Sequence, residues 1–308
     1  MRDPAGLYDM SDEVATVPTG LHLVAGLTGF TDAGGAVSQV SAYLLETLNH
    51  RLVAEFDSDA LLDYRARRPL VFFDQDHLSD YQPARLALYL ADDELGKPFL
   101  LLTGYEPDFQ WQRFTAAVLG IIERFHVATL TWVNAIPMPV PHTRPIGVTV
   151  SGNRSELTDA MSVWRPQTQV PANALHLIEY RLQALGHPTA GFVLLIPHYL
   201  ADTEYPAAAV AALDSISAAT GLIFPTDQLR EDGRSFIAKI DGQLQSNQEL
   251  ARLVGSLEER HDSYMQDNPM RSPLTDVDGE LPTADEIAAE LQNFLATRRT
   301  GDEPQATP

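Results

Sequence analysis

The stretch Gly26–Ala36, GLTGFTDAGGA, sets a glycine-rich loop between an apolar run and a helical pattern. A strand, such a turn and a helix N-terminus together offer free backbone N–H groups and a positive dipole end to an anion. Read from Gly29, the loop begins as a phosphate-binding GxxxxG, but Gly35 and Ala36 stand where a P-loop needs lysine and a hydroxyl. Without them nothing neutralises the outer phosphates or holds magnesium, so triphosphate hydrolysis is not expected. Asp32 also counts against an anion ligand, and its carboxylate could instead cap the helix. Two readings stay open for Gly29, Asp32, Gly34 and Gly35: a tight turn with close strand–helix packing, or a ligand loop.

Three further stretches carry reactive side chains. GYEPDFQW places Glu106 and Asp108 just past an apolar run, at the edge where open α/β sheets bind ligands. Acids at a helix start, complementing its dipole, are the plainer reading. PHTRP holds His142 and Arg144 two residues apart. In extended chain both point to one side, as an anion clamp or a contact with an acidic neighbour. PHYLADTEYP puts His198 and Tyr199 after another apolar run, with Asp202 and Glu204 close behind. His142, His198 and those acids are a conceivable metal set, yet HExxH and closely spaced ligand triplets are missing, so neither a metal nor another cofactor is expected. The absence of GxSxG counts against an α/β-hydrolase. The candidate pocket therefore comprises Gly29, Asp32, Gly34, Gly35, Glu106, Asn134, His142, Arg144, His198 and Tyr199.

These positions need a sheet to hold them. Short apolar runs predict strands over 21–27, 51–56, 69–73, 85–91, 99–104, 127–136, 146–152 and 191–197. Helical spacing predicts helices over 37–49, 106–125, 171–186 and 205–221, the second with Pro107 in its first turn. The rhythm gives a three-layer α/β/α sandwich with a mostly parallel sheet over 20–225. Residues 1–19 read as a loose lead-in and 226–308 as a helical extension. In that extension a polar helix spans 227–267, and Thr283 with Glu286 opens a last amphipathic helix to about Arg299. The final residues read as disordered.

The 308 residues carry 21 Lys and Arg against 42 Asp and Glu, a net charge of −21. Such a surface repels phosphate backbones and anionic lipid, so nucleic acid and membrane are not expected partners. Without cysteine there are no disulfides, thiolate metal sites or cysteine nucleophiles. The acidic, Pro-containing N-terminus lacks a signal-peptide apolar run, and no apolar stretch could span a bilayer. A soluble, cytoplasmic protein is expected.

Taken together, GLTGFTDAGGA after an apolar strand, GYEPDFQW, PHTRP and PHYLADTEYP resemble the bacterial branch of the proteasome assembly chaperone 2 family, over roughly residues 20–225. The resemblance implies a fold similar to purine nucleoside phosphorylases and a homo-oligomer, a trimer by analogy. It supplies no reaction and no catalytic residues. Chaperone relatives that dock on proteasome rings can end in a hydrophobic–Tyr–any tail, whereas this chain ends Gln305-Ala-Thr-Pro308. The expectation is a non-catalytic assembly or interaction protein with a possible protein client. The alternative is a small-molecule-binding hydrolase or phosphorylase-like enzyme. Phosphorolysis would need cations, and near these edges the sequence offers only Arg144 and Arg113.

Overall fold

The structure, a computed structural model, describes residues 3–267. Among these residues ten strands occur: β1 (Tyr8–Met10), β2 (His22–Thr28), β3 (His50–Phe56), β4 (Leu70–Asp74), β5 (His77–Gln82), β6 (Leu86–Asp92), β7 (Pro98–Tyr105), β8 (Thr129–Met138), β9 (Val148–Gly152) and β10 (Thr189–Pro197). The helices are α1 (Ala36–Thr47), α2 (Ser58–Leu61), α3 (Trp111–Arg124), α4 (Ser155–Met161), α5 (Ala174–Ala184), α6 (Pro206–Thr220), α7 (Asp227–Ser246) and α8 (Gln248–Asp267).

Eight strands form one sheet in the order β1-β3-β6-β7-β2-β8-β10-β9. Its centre, β7-β2-β8-β10, is parallel, and antiparallel strands extend both flanks. The central strands read as apolar runs because both faces are covered: five successive residues of β2 are buried. On one face α1 and α6 bring Val37, Val40, Leu213 and Ile216 against Val24, Phe192 and Leu194. On the other, α3 and α5 bring Phe114, Val118, Ile121 and Ile178 against Leu23, Leu100 and Trp132. Each such side chain contributes roughly 1.5–3 kcal/mol when fully buried. These are the three expected layers.

The connection after β2 runs along one face toward β3, while the chain leaving β8 feeds α5 on the other. Adjacent strands β2 and β8 thus form the topological switch point, where α/β sheets place ligands outside the carboxyl ends.

Several expectations need correction. Within the supposed lead-in, β1 pairs with β3 as an edge strand, and Leu7 is fully buried. The helix expected from 106 begins at Trp111, because the preceding backbone is spent on other partners. Glu106 N–H donates to the Thr28 carbonyl (2.7 Å), and Asp108 and Phe109 N–H donate to that of Leu61 (2.8 and 3.1 Å). Pro107 is accordingly outside the helix. The run at 69–73 is not a core strand; among the described residues β4 pairs only with β5, as a hairpin apart from the main sheet. The helix expected over 227–267 breaks at Asn247, whose Oδ1 accepts from Glu249 and Leu250 N–H (both 3.1 Å) and starts α8. The last amphipathic helix, Thr283 and Glu286 lie outside the described residues.

The described part of the extension, α7 and α8, packs on the sheet layers. Phe236, Ile237 and Ile240 of α7 join the core under α6, with the Phe236 ring 5.3 Å from Tyr205, and Val254 and Leu257 of α8 are buried. No helix among the described residues is long and apolar enough to cross a membrane.

Candidate functional site

The loop after β2 closes on itself. Asp32 turns its carboxylate into the start of α1, accepting from Val37 N–H at Oδ1 (2.7 Å) and Ser38 N–H at Oδ2 (2.9 Å). It fills the place an external anion would take. Gly34 and Gly35 have φ of 69° and 58°, in the left-handed region. At Gly34 a Cβ would also lie 3.2 Å from Tyr205 Cβ and 3.3 Å from Ile196 Cγ2. Gly34 N–H donates to the Ala201 carbonyl and Tyr205 N–H to that of Gly34, both at 2.8 Å. The turn reading fits Asp32, Gly34 and Gly35.

A second group gathers at the ends of β2 and β7. Glu106 is buried on the α3–α5 face, and its Oε1 accepts from Ala174 N–H (2.6 Å), the first residue of α5. Burial pushes its carboxyl up from the usual range, while the Ala174 bond and the nearby Arg67 pull it back. Arg67, unmarked in the sequence, supplies a cation at this edge. Its Nη1 meets Asp108 Oδ2 at 2.5 Å and the Glu106 carbonyl at 3.3 Å, and its guanidinium sits 5.5 Å from the Tyr105 ring centre. Gly29, at φ 125°, makes room for it: a Cβ there would lie 2.5 Å from Arg67 Nη2. Asn134 is buried on β8, its amide reaching Thr31 Oγ1 only at 3.5 Å.

The third group lies under α7 and α8. Arg144 grips Asp262 of α8 with two bonds, Nε–Oδ1 2.8 Å and Nη2–Oδ2 2.6 Å, and meets Glu258 at 3.3 Å. The Arg144 bond, with help from His261, holds the Asp262 carboxyl down at about 2. The His142 side chain has no exposed surface; its Nδ1 is 2.7 Å from the Tyr199 hydroxyl, which also accepts from His142 N–H at 2.8 Å. Its Nε2 faces Asp241 of α7 at 3.5 Å, too far for a good hydrogen bond. Burial raises the Tyr199 phenol. His198 is exposed, its ring edge against Tyr199. Of the two readings of PHTRP, contact with an acidic neighbour fits, and the neighbour is this chain's own α7–α8.

The ten positions thus fall into three groups. Two open grooves, of about 510 Å³ between α6 and α7 and about 910 Å³ between α3 and α5, are lined by none of them. Among the described residues no three or more His, Asp and Glu side chains are placed to hold a metal ion. A further buried carboxyl went unmarked: Glu179 of α5 accepts from Trp132 Nε1 (2.7 Å), Ser151 Oγ (2.9 Å) and Gln183 Nε2 (3.1 Å). It sits inside an ordinary helical pattern, so spacing gave no signal.

No curated protein matches the chain. Among solved structures, the Mycobacterium tuberculosis protein of unknown function Rv2714 is 40% identical, with 85% of this chain and 92% of that one covered and a TM-score of 0.79. A Corynebacterium glutamicum protein of unknown function is 34% identical, covering 85% and 98%, with a TM-score of 0.82. The M. tuberculosis proteasome-assembly chaperone homologue Rv2125 shares the fold at 22% identity, covering 76% and 100%, with a TM-score of 0.69. The PAC2 family itself matches residues 26–244, from within β2 to near the end of α7. With the glycine turn, the Glu106 edge and the PHTRP loop all inside that span, the chain belongs to the PAC2 family.

Proposed function

We propose that this protein is a non-catalytic assembly or interaction protein of the cytoplasm, working as a homo-oligomer joined through the β4–β5 hairpin. The family resemblance suggests a trimer and a protein client. The observation that carries the reading is the hairpin itself. Leu70, Phe73 and Leu78 are 70%, 66% and 64% exposed, and Val71, Phe72 and Tyr81 are exposed beside them. A lone two-stranded hairpin is marginal in water, and open edges with apolar side chains invite another chain. A second copy offers the same surface in return. One structure that shares the fold is described as a proteasome-assembly chaperone homologue, a description that agrees with this role.

The enzyme alternative rests on Glu106, a buried, proton-retentive carboxyl at the carboxyl end of β7. Its bond to Ala174 and the self-capped Asp32 loop weigh against it.

Native mass spectrometry of the full chain and of a Phe72→Glu, Leu78→Glu variant tests both readings. The wild type is expected as a multimer without a stoichiometric small molecule, and the variant as a folded monomer. Unchanged mass in the variant, or a monomeric wild type, would refute the hairpin interface. A metabolite retained at one per chain would favour the enzyme.

A further inference from the structure

We propose that Arg67 is a positioning residue that couples the hairpin to the β2 loop, so that engagement of the hairpin by a second copy fixes the backbone around Gly29 and Glu106. The inference rests on the hairpin reading above and adds a path from that interface to the sheet edge.

Arg67 stands three residues before β4, at the root of the hairpin. Its own backbone N–H is tied to the Asp63 carbonyl (2.9 Å), and Asp63 N–H donates to Asp108 Oδ2 (2.8 Å). The root and the β7 loop therefore share one carboxylate, Asp108, which also takes the guanidinium. Among the described residues the hairpin has no other partner strand, so a force on it enters the core through its two legs, residues 67–69 before β4 and 83–85 before β6. From there the guanidinium spans two loops at once. It donates to the Glu106 carbonyl, lies near the Tyr105 ring, and rests on Gly29, where a Cβ would stand 2.5 Å from Nη2 and push the guanidinium aside.

The chemistry suits a coupler. Arg67 and Asp108 are mostly buried yet reachable by water, so the pair is less screened than a surface ion pair. A planar guanidinium bonded on its edge and facing an aromatic ring has one preferred placement, unlike a lysine ammonium. Glycine at 29 is the other half of the device: its φ of 125° and missing Cβ let the loop accept the guanidinium. Displacing the hairpin root would withdraw a charge from beside Glu106 and free the Gly29 turn. Ordering the root against a partner would hold both.

Hydrogen exchange on the full chain tests this in four proteins: wild type, the Phe72→Glu, Leu78→Glu variant, Arg67→Met, and the three changes combined. With Arg67 present, loss of the oligomer is expected to speed exchange severalfold in peptides covering 28–36 and 105–110. With Arg67→Met, those peptides exchange faster from the start and no longer respond to the hairpin changes. A merely structural arginine would raise exchange but leave that response intact, which overturns the proposal. So does an oligomer that dissociates with no change at 28–36 or 105–110. In that case the mass change still upholds the interface, so the two readings fail separately. A wild type already monomeric overturns both.

Discussion

The indole of Trp132 occupies its place because position 191 has no side chain. A Cβ on Gly191 would lie 2.3 Å from Trp132 Cε2 and 2.6 Å from Ser151 Oγ. The ring is fully buried, and its Nε1 is held by Glu179, so it has nowhere to retreat. Gly191→Ala should therefore destabilise the protein by about 1–3 kcal/mol through overpacking, measured by urea unfolding. Trp132→Phe in the same chain should recover part of that loss, although alone it costs stability by removing a donor to a buried carboxylate. Strictly additive effects would mean that the glycine is needed for some other reason.

At the scale of elements, charge complementarity helps to seat α8. The loop supplies Arg144, and the helix supplies Glu258 and Asp262. Because Asp262 has a folded pKa of about 2, below its ordinary 3.8, its contribution is fully present above the unfolded value and is lost as pH falls toward 2. Arg144→Met should speed hydrogen exchange across α8 at neutral pH and remove this acid step. Unaltered exchange over 248–267 would show that Val254 and Leu257 hold the helix without the ion pairs. What the sequence revealed and concealed follows the same division. Strands with both faces buried, such as β2 and β10, announce themselves by unbroken apolar runs. The run Pro69–Phe73 looked identical to them, since an apolar stretch says that it will be covered but not by which chain. Asp32's capping role was legible from its place before a helix. Arg67 was not, because its partners at 29, 105, 106 and 108 are distant in sequence and meet only once β2 and β7 pair. Arg144 showed its type but not its partner, 118 residues away.

The whole molecule sets a net charge of −21 against an exposed apolar hairpin. Copies that meet through the hairpin also bring their acidic surfaces together, and the screening length falls from about 30 Å at 0.01 M salt to about 10 Å at 0.1 M. Self-association should therefore strengthen with sodium chloride, seen as a rising sedimentation coefficient at fixed protein concentration. Dissociation on adding salt would mean that ion pairs, not apolar contact, join the copies.

The Asp32 carboxylate has a consequence in terms of competition. A phosphate seeking the amides of Val37 and Ser38 meets a rival that never leaves, tethered four residues before the helix starts. A short tether holds its group at an effective concentration in the millimolar range or above, and a free anion must exceed it to gain a place. Trimming Asp32 to alanine would do more than loosen a turn: it would vacate a seat that a free anion could then take.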